Sequence, residues 1–260
     1  MNRITQVFLQ KQDKKLAVYF TAGFPGIDDT LPILEALQQA GADLVEIGMP
    51  YSDPIADGPT IQMSNEKALA QGMSINKLFD QLKNMRQTVT LPVLLMGYLN
   101  PVLQFGLERF CKKCQEVGVD GIILPDLPMR EYLAQYKPMF DAYGLVNTFL
   151  VTPQTSDERI RQVDDHSTGF IYLVSSASVT GAKTGISDEQ ESYFKRVQAM
   201  KLTKPRMIGF GISDHEGFVK ASSFANGAII GSAFINMLAT STDIQKDTVR
   251  FIKTIKGNNA

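Results

Sequence analysis

Short runs of apolar and β-branched residues recur along this chain at nearly even spacing, with amphipathic stretches filling most of the gaps. Candidate strands are Leu16–Thr21, Asp43–Gly48, Pro92–Met96, Gly121–Leu124, Leu145–Val151, Gly169–Val174, Arg206–Gly211 and Ala228–Ile230. Helical patterns lie between them at Thr30–Ala40, Leu107–Val117, Met129–Tyr143, Asp188–Met200 and Asp243–Lys256. Strands separated by helices pair in parallel through right-handed crossovers. The strands are apolar almost throughout, as expected when both faces of a sheet are covered. Eight such units in 260 residues give roughly one per 30 residues, the arithmetic of a (β/α)8 TIM barrel. The competing doubly wound sheet usually opens on a G-x-G-x-x-G turn after its first strand. Here that turn reads Ala22-Gly23-Phe24-Pro25-Gly26 and does not fit. The interval from Gly48 to Pro92 is too long for one crossover. It predicts extra helices after strand two, near Thr60–Gln71 and Ser74–Met85, and a further one is expected before the last helix. With no linker or low-complexity segment, residues 1–260 are expected to form a single barrel domain.

Charge narrows the function. Twenty-six Lys and Arg oppose 27 Asp and Glu, so no global basic field exists to hold nucleic acid or an anionic membrane. No apolar run is long enough to span a bilayer. The polar start, Met1 to Lys15, lacks the apolar core of a secretory signal. Cys111 and Cys114 are too few for a disulfide scaffold, so a reducing cytoplasm is the expected compartment. Their CxxC spacing falls on an expected outer helix, and His166 and His215 are the only histidines, so no zinc site is expected. His215 is expected in the first turn of helix seven, on the surface.

Two acids stand out. Glu46 sits inside the apolar run Leu44-Val45-Glu46-Ile47-Gly48, where an ionised carboxylate is costly unless something satisfies or uses it. It is either a salt-bridged structural residue or a general acid/base whose burial raises its pKa. The following loop carries Pro50, Pro54, Gly58 and Pro59, which stiffen the backbone around Asp53 and Asp57. Such rigidity suits a loop that holds Asp57 over a cavity; a surface turn with solvated acids is the plainer alternative. Glu46, Asp53 and Asp57 together are also a conceivable Mg²⁺ set.

Glycines cluster near the ends of strands seven and eight, in Gly209-Phe210-Gly211-Ile212-Ser213 and Gly227-Ala228-Ile229-Ile230-Gly231-Ser232-Ala233. The loops after these strands form the recurrent phosphate site of such barrels, where backbone N–H groups and a helix N-terminus face the anion. Tight turns alone would also require glycine. After strand six, residues 175–185 are small or polar and suit a lid. Tyr172, at the end of that strand, points either into the core or at a ligand. A Schiff-base aldolase needs a lysine at the C-terminal end of a strand, and no predicted strand end carries one. A zinc aldolase would normally need more histidines. Acid–base catalysis by carboxylates remains, with the substrate as its own electron sink.

The stretch Glu46-Ile47-Gly48-Met49-Pro50-Tyr51-Ser52-Asp53-Pro54-Ile55-Ala56-Asp57-Gly58-Pro59-Thr60-Ile61-Gln62 resembles the signature of the tryptophan synthase α subunits. The resemblance continues through Thr21-Ala22-Gly23, Tyr98-Leu99-Asn100-Pro101, Leu124-Pro125-Asp126-Leu127-Pro128, Tyr172, Val179-Thr180-Gly181, Gly209 to Ser213 and Gly231-Ser232. It covers essentially the whole chain. It implies a (β/α)8 barrel that splits indole-3-glycerol phosphate into indole and glyceraldehyde 3-phosphate. By this resemblance Glu46 protonates indole C3 and helps deprotonate the glycerol C3′ hydroxyl, and Asp57 accepts the indole N–H. Gly181, Gly211, Gly231 and Ser232 hold the phosphate; Tyr19, Met96, Ile123, Tyr172, Thr180 and Phe210 line the rest of the substrate pocket. The resemblance implies no cofactor and no metal in this chain. Pyridoxal phosphate is expected in a partner β subunit of an α2β2 heterotetramer, with contacts around Asp53 and Asn100-Pro101. Many members carry Asp where this chain has Phe24, and Phe where it has Tyr51; both positions are expected near the rim. A flavin-binding barrel, a sugar-phosphate epimerase and a non-catalytic activating subunit are the alternatives.

Overall fold

The computed structural model describes residues 1–10, 14–174, 187–209 and 211–257. Among these, nine strands form one parallel sheet: β1 (Lys15–Thr21), β2 (Leu44–Gly48), β3 (Val93–Met96), β4 (Gly121–Ile123), β5 (Val146–Asn147), β6 (Phe149–Val151), β7 (Ile171–Val174), β8 (Arg206–Gly209) and β9 (Gly227–Ile230). Their spatial order is β5-β4-β3-β2-β1-β9-β8-β7-β6. The two ends of that order, β5 and β6, are separated in the chain by Thr148 alone. The backbone therefore joins the ends, and the nine strands make eight staves of a nearly closed (β/α)8 barrel.

The predicted strand Leu145–Val151 is thus corrected to two short pieces. Gly121 and Ile122 of β4 pair with Val146 and Asn147, whereas Phe149, Leu150 and Val151 pair with β7. The carbonyl of Asn147 accepts the N–H groups of Thr168 and Gly169, each at 3.1 Å, and the stave changes partner at that point.

Side chains alternate as a two-residue period requires. Ala17, Leu44, Leu94, Met96, Ile123, Tyr172, Met207 and Ile229 pack together inside the barrel. Val18, Phe20, Val45, Ile47, Val93, Leu95, Ile122, Ile208 and Ile230 pack outward against the helices. Glu46 has the inward parity of Leu44.

Two helices after β2 answer the expectation, Pro59–Ala70 with proline at its start and Ile75–Leu82 capped by Ser74. The extra helix before the last one is Ser232–Thr240. Helix Leu107–Val117 carries both cysteines as buried free thiols, and burial pushes Cys111 up to about 12. His215 opens its helix on the surface, where Nδ1–H donates to the Ile255 carbonyl at 2.8 Å. The expected helix Met129–Tyr143 contains a π turn, Tyr132–Tyr136, ahead of Pro138. Proline offers no N–H to the preceding turn, and the wider turn accommodates the missing bond. No described helix is long and apolar enough to cross a membrane.

The barrel floor was not anticipated. Helix Arg3–Leu9, capped by the Asn2 side chain, lies under it and buries Ile4. The Phe8 ring sits 5.9 Å from that of Phe170. Asp120 clamps this end by accepting from Arg3 at 2.9 Å, Arg86 at 2.6 Å and the Val93 N–H at 2.9 Å. Ile4→Ala should therefore destabilise the protein by about 2–4 kcal/mol, read from the urea midpoint at constant slope. A change below about 0.5 kcal/mol would mean that this helix does not seal the floor.

Candidate active site

Glu46 is the third residue of β2, paired with Tyr19 on one side and Leu94 on the other. It is 0% exposed, and neither carboxyl oxygen has a hydrogen-bond partner among the described residues. The salt-bridged alternative is therefore not what the fold provides. Burial pushes the carboxyl up to about 8, so at neutral pH Glu46 is mostly a neutral acid.

Asp57 arrives from the loop after β2. Its N–H donates to the Pro54 carbonyl at 3.0 Å, and Gln62 Nε2 donates to its carbonyl at 2.9 Å, fastening the loop to helix Pro59–Ala70. The side chain is half-buried, and the Tyr98 hydroxyl donates to Oδ2 at 3.3 Å. Burial pushes Asp57 up to about 6, while the Tyr98 bond pulls the other way. Asp53 is exposed and carries the Ser52 hydroxyl at 2.5 Å. Among the described residues no three His, Cys, Asp or Glu side chains stand together to hold a metal ion, so the conceivable Mg²⁺ trio is not assembled.

Tyr19 and Tyr172 connect the two acids in space. Burial raises both phenols, and the charges of Glu46 and Asp57 add to the effect on each. Tyr172 is buried inside the barrel, its ring stacked on Phe170 at 6.5 Å, close to Met96 and Ile123 in the same cluster. Two glycines make room for these phenols. A Cβ on Gly48 would stand 2.6 Å from Tyr19 Cζ, and one on Gly209 would stand 2.6 Å from Tyr172 Cζ. Gly209 thus has a packing reason for being glycine.

After β8, Gly211 has φ +79° and is exposed. That backbone favours glycine whatever lies in front of it. Gly231 is the N-cap of Ser232–Thr240, with no side chain capping the first amides, and its Cα faces Tyr19. Helix starts of this kind suit an anion. Thr180, Gly181, Phe210 and the 175–185 stretch lie outside the described residues. Phe24 is not at the rim: it is 1% exposed and packed in the outer core. Tyr51 is half-buried, its ring 5.1 Å from that of Tyr98.

Neither Tyr98 nor Gln62 has a role that its sequence context assigns. Neither type announces itself; Tyr98 meets Asp57 only because β2 and β3 are neighbours.

A closed barrel with a neutral buried acid and a second, partly buried acid at one mouth is the architecture of a barrel enzyme that handles protons with carboxylates. The family model for the tryptophan synthase alpha chain matches residues 6–259. The tryptophan synthase alpha chain of Flavobacterium johnsoniae is 56% identical over 241 residues, covering 93% of this chain and 95% of its own. The crystal structure of tryptophan synthase subunit alpha from Legionella pneumophila superposes with a TM-score of 0.89 at 33% identity, covering 99% of this chain and 98% of its own. Tryptophan synthase from M. tuberculosis, in an aminoacrylate-bound form, gives 0.85 at 26% identity, with 98% of each chain covered. This chain belongs to the tryptophan synthase alpha chain family. It is a carbon–carbon lyase that cleaves indole-3-glycerol phosphate in tryptophan biosynthesis.

Proposed function

We propose that Glu46 and Asp57 carry the cleavage between them. Glu46, held neutral by its surroundings, protonates indole C3. The ring becomes an indolenine, whose C=N⁺ accepts the electron pair of the breaking bond between C3 and the glycerol C3′. As that bond breaks, the C3′ hydroxyl gives up its proton to the Glu46 carboxylate and becomes the aldehyde of glyceraldehyde 3-phosphate. One proton leaves Glu46 and one returns. Asp57, ionised, accepts the indole N–H and stabilises the positive charge that develops there. The substrate thus supplies the electron sink, and no cofactor in this chain is needed for the chemistry. Backbone groups of Gly181, Gly211, Gly231 and Ser232 hold the phosphate. Tyr19, Met96, Ile123, Tyr172, Thr180 and Phe210 enclose the indole and its linker.

The observation that carries this reading is Glu46 itself: a carboxyl with no exposure and no hydrogen-bond partner among the described residues, beside two phenols that also feel Asp57. The test is the pH dependence of indole release by the purified chain. Glu46 must be protonated, which holds below about 8. Asp57 must be ionised, which holds above about 6. The rate should rise through the lower value and fall through the upper one, in a bell. A profile flat from about pH 5 to pH 9 would separate both acids from the reaction.

The chain is proposed to act as one barrel domain, residues 1–260, in the cytoplasm, docked to a β subunit in an α2β2 assembly that holds pyridoxal phosphate in the partner. The rim supports this docking: Ile55 is 87% exposed and Leu103 48%, on the loop and helix beside Asp53 and Asn100.

A further inference from the structure

We propose that Tyr98 is a positioning residue for this cleavage: its hydroxyl bridges the Ala56 backbone and the Asp57 carboxylate, fixing that carboxylate on a support shared with helix Leu99–Phe105. The proposal rests on the role given to Asp57 above. The phenol oxygen accepts the Ala56 N–H at 3.0 Å and donates to Asp57 Oδ2 at 3.3 Å, so one hydroxyl uses both its capacities on adjacent residues of the loop.

The phenol is itself held from two sides. Its ring lies 5.1 Å from Tyr51, whose hydroxyl accepts from Asn100 Nδ2 at 3.4 Å. Its backbone caps helix Leu99–Phe105, whose first N–H is taken by both carboxylate oxygens of Asp126, at 2.9 and 3.0 Å. Segments following β2, β3 and β4 therefore converge on this tyrosine. At its start the loop is tied to β3 by the Met49 N–H, which donates to the Met96 carbonyl at 2.8 Å; farther along, its other hydrogen bonds run largely within itself or to Gln62, so the part that carries Asp57 reaches the β3 side through Tyr98 and Tyr51.

Among the described residues, the titratable groups that face Asp57 are Tyr19 from β1, Tyr172 from β7 and Tyr98. Among the described residues no Lys or Arg forms an ion pair with it. Glu46 faces the same two inner phenols. Among the described residues the Tyr98 hydroxyl is thus the group that favours the ionised form of Asp57, and its loss makes that form harder to reach.

The experiment follows indole release by the full-length chain from about pH 5 to pH 9 for wild type, Tyr98→Phe, Asp57→Asn and the double variant. Tyr98→Phe keeps the ring and its contact with Tyr51. It should lower kcat roughly threefold to tenfold and move the acid limb up by roughly half a pH unit, leaving the alkaline limb in place. Added to Asp57→Asn, it should cost nothing more, because its effect runs through the carboxylate. A general structural defect would instead lower the rate equally at every pH and in both backgrounds. Tyr51→Leu, which removes the ring behind Tyr98 and the bond from Asn100 but leaves the Tyr98 hydroxyl, should shift the acid limb in the same direction. A wild-type acid limb in whichever of these variants folds overturns the proposal. If Asp57→Asn is slow in that case, the role of Asp57 stands; wild-type turnover by Asp57→Asn would bring down both.

Discussion

Glu46→Gln is expected to lower kcat for indole release by on the order of 10³-fold while leaving the barrel folded. Glutamine fills the same space between Tyr19 and Leu94 but has no acidic proton for indole C3 and no carboxylate to receive the C3′ hydroxyl proton. The same substitution has a stability signature of opposite sign. An unfolded Glu46 ionises above about 4.5, whereas the folded one keeps its proton to about 8. The folded state therefore binds the extra proton between these values, and stability falls as pH rises through that window, by roughly 5 kcal/mol once it is passed. Glutamine has no such loss. The variant's melting temperature should gain on the wild type from about pH 5 upward and level off near pH 8. Retained turnover would remove Glu46 from the chemistry. A melting temperature that falls relative to wild type with rising pH would show that the acid is satisfied rather than stranded.

Asp57→Asn should lower kcat by about 10²-fold or more, with a smaller change in KM. The amide oxygen can still accept the indole N–H, so binding survives in large part. What is lost is the negative charge opposite the cation that forms when C3 is protonated, an interaction made only on the way to the transition state. The acid limb of the profile should vanish with it, because asparagine does not titrate. Unchanged kcat, or an acid limb that persists near pH 6, would assign that limb and that charge to another group.

Much of the barrel and of its site is legible in the sequence. Parallel strands covered on both faces leave continuous apolar runs, so the staves show themselves, and an acid inside such a run, Glu46, is conspicuous for the same reason. Asp57 was legible through the prolines that stiffen its loop. The division of the fifth stave at Thr148 was not, because composition on either side of a partner change is the same. Helix Arg3–Leu9 is short and hides a single residue fully, too little for an amphipathic pattern. Phe24 stands where many relatives of the resembled family carry Asp, which suggests a rim position; a phenyl ring there goes instead into the outer core. Gly209 lies in a run that suits either an anion cradle or a tight turn, and the packing reason for it, room for the Tyr172 ring, needs the neighbouring stave. Tyr98 acts on a residue in a different βα unit, and no local spacing encodes that.

The first stave has neighbours of very unequal sequence distance. Ala17 pairs with Leu44 on one side and with Ile229 on the other. A chain emerging from the ribosome can seat the near neighbour early, but the far one does not exist until all the staves between them have been made. A chain that seats its staves in the order they are made is until then an open sheet with two unpaired margins, at β1 and at whichever strand was made last. Those margins are the adhesive surfaces of a half-made molecule. Slow closure is the cost of joining a ring whose last link is its first, and shielding by chaperones matters most in the interval before Gly227–Ile230 arrives.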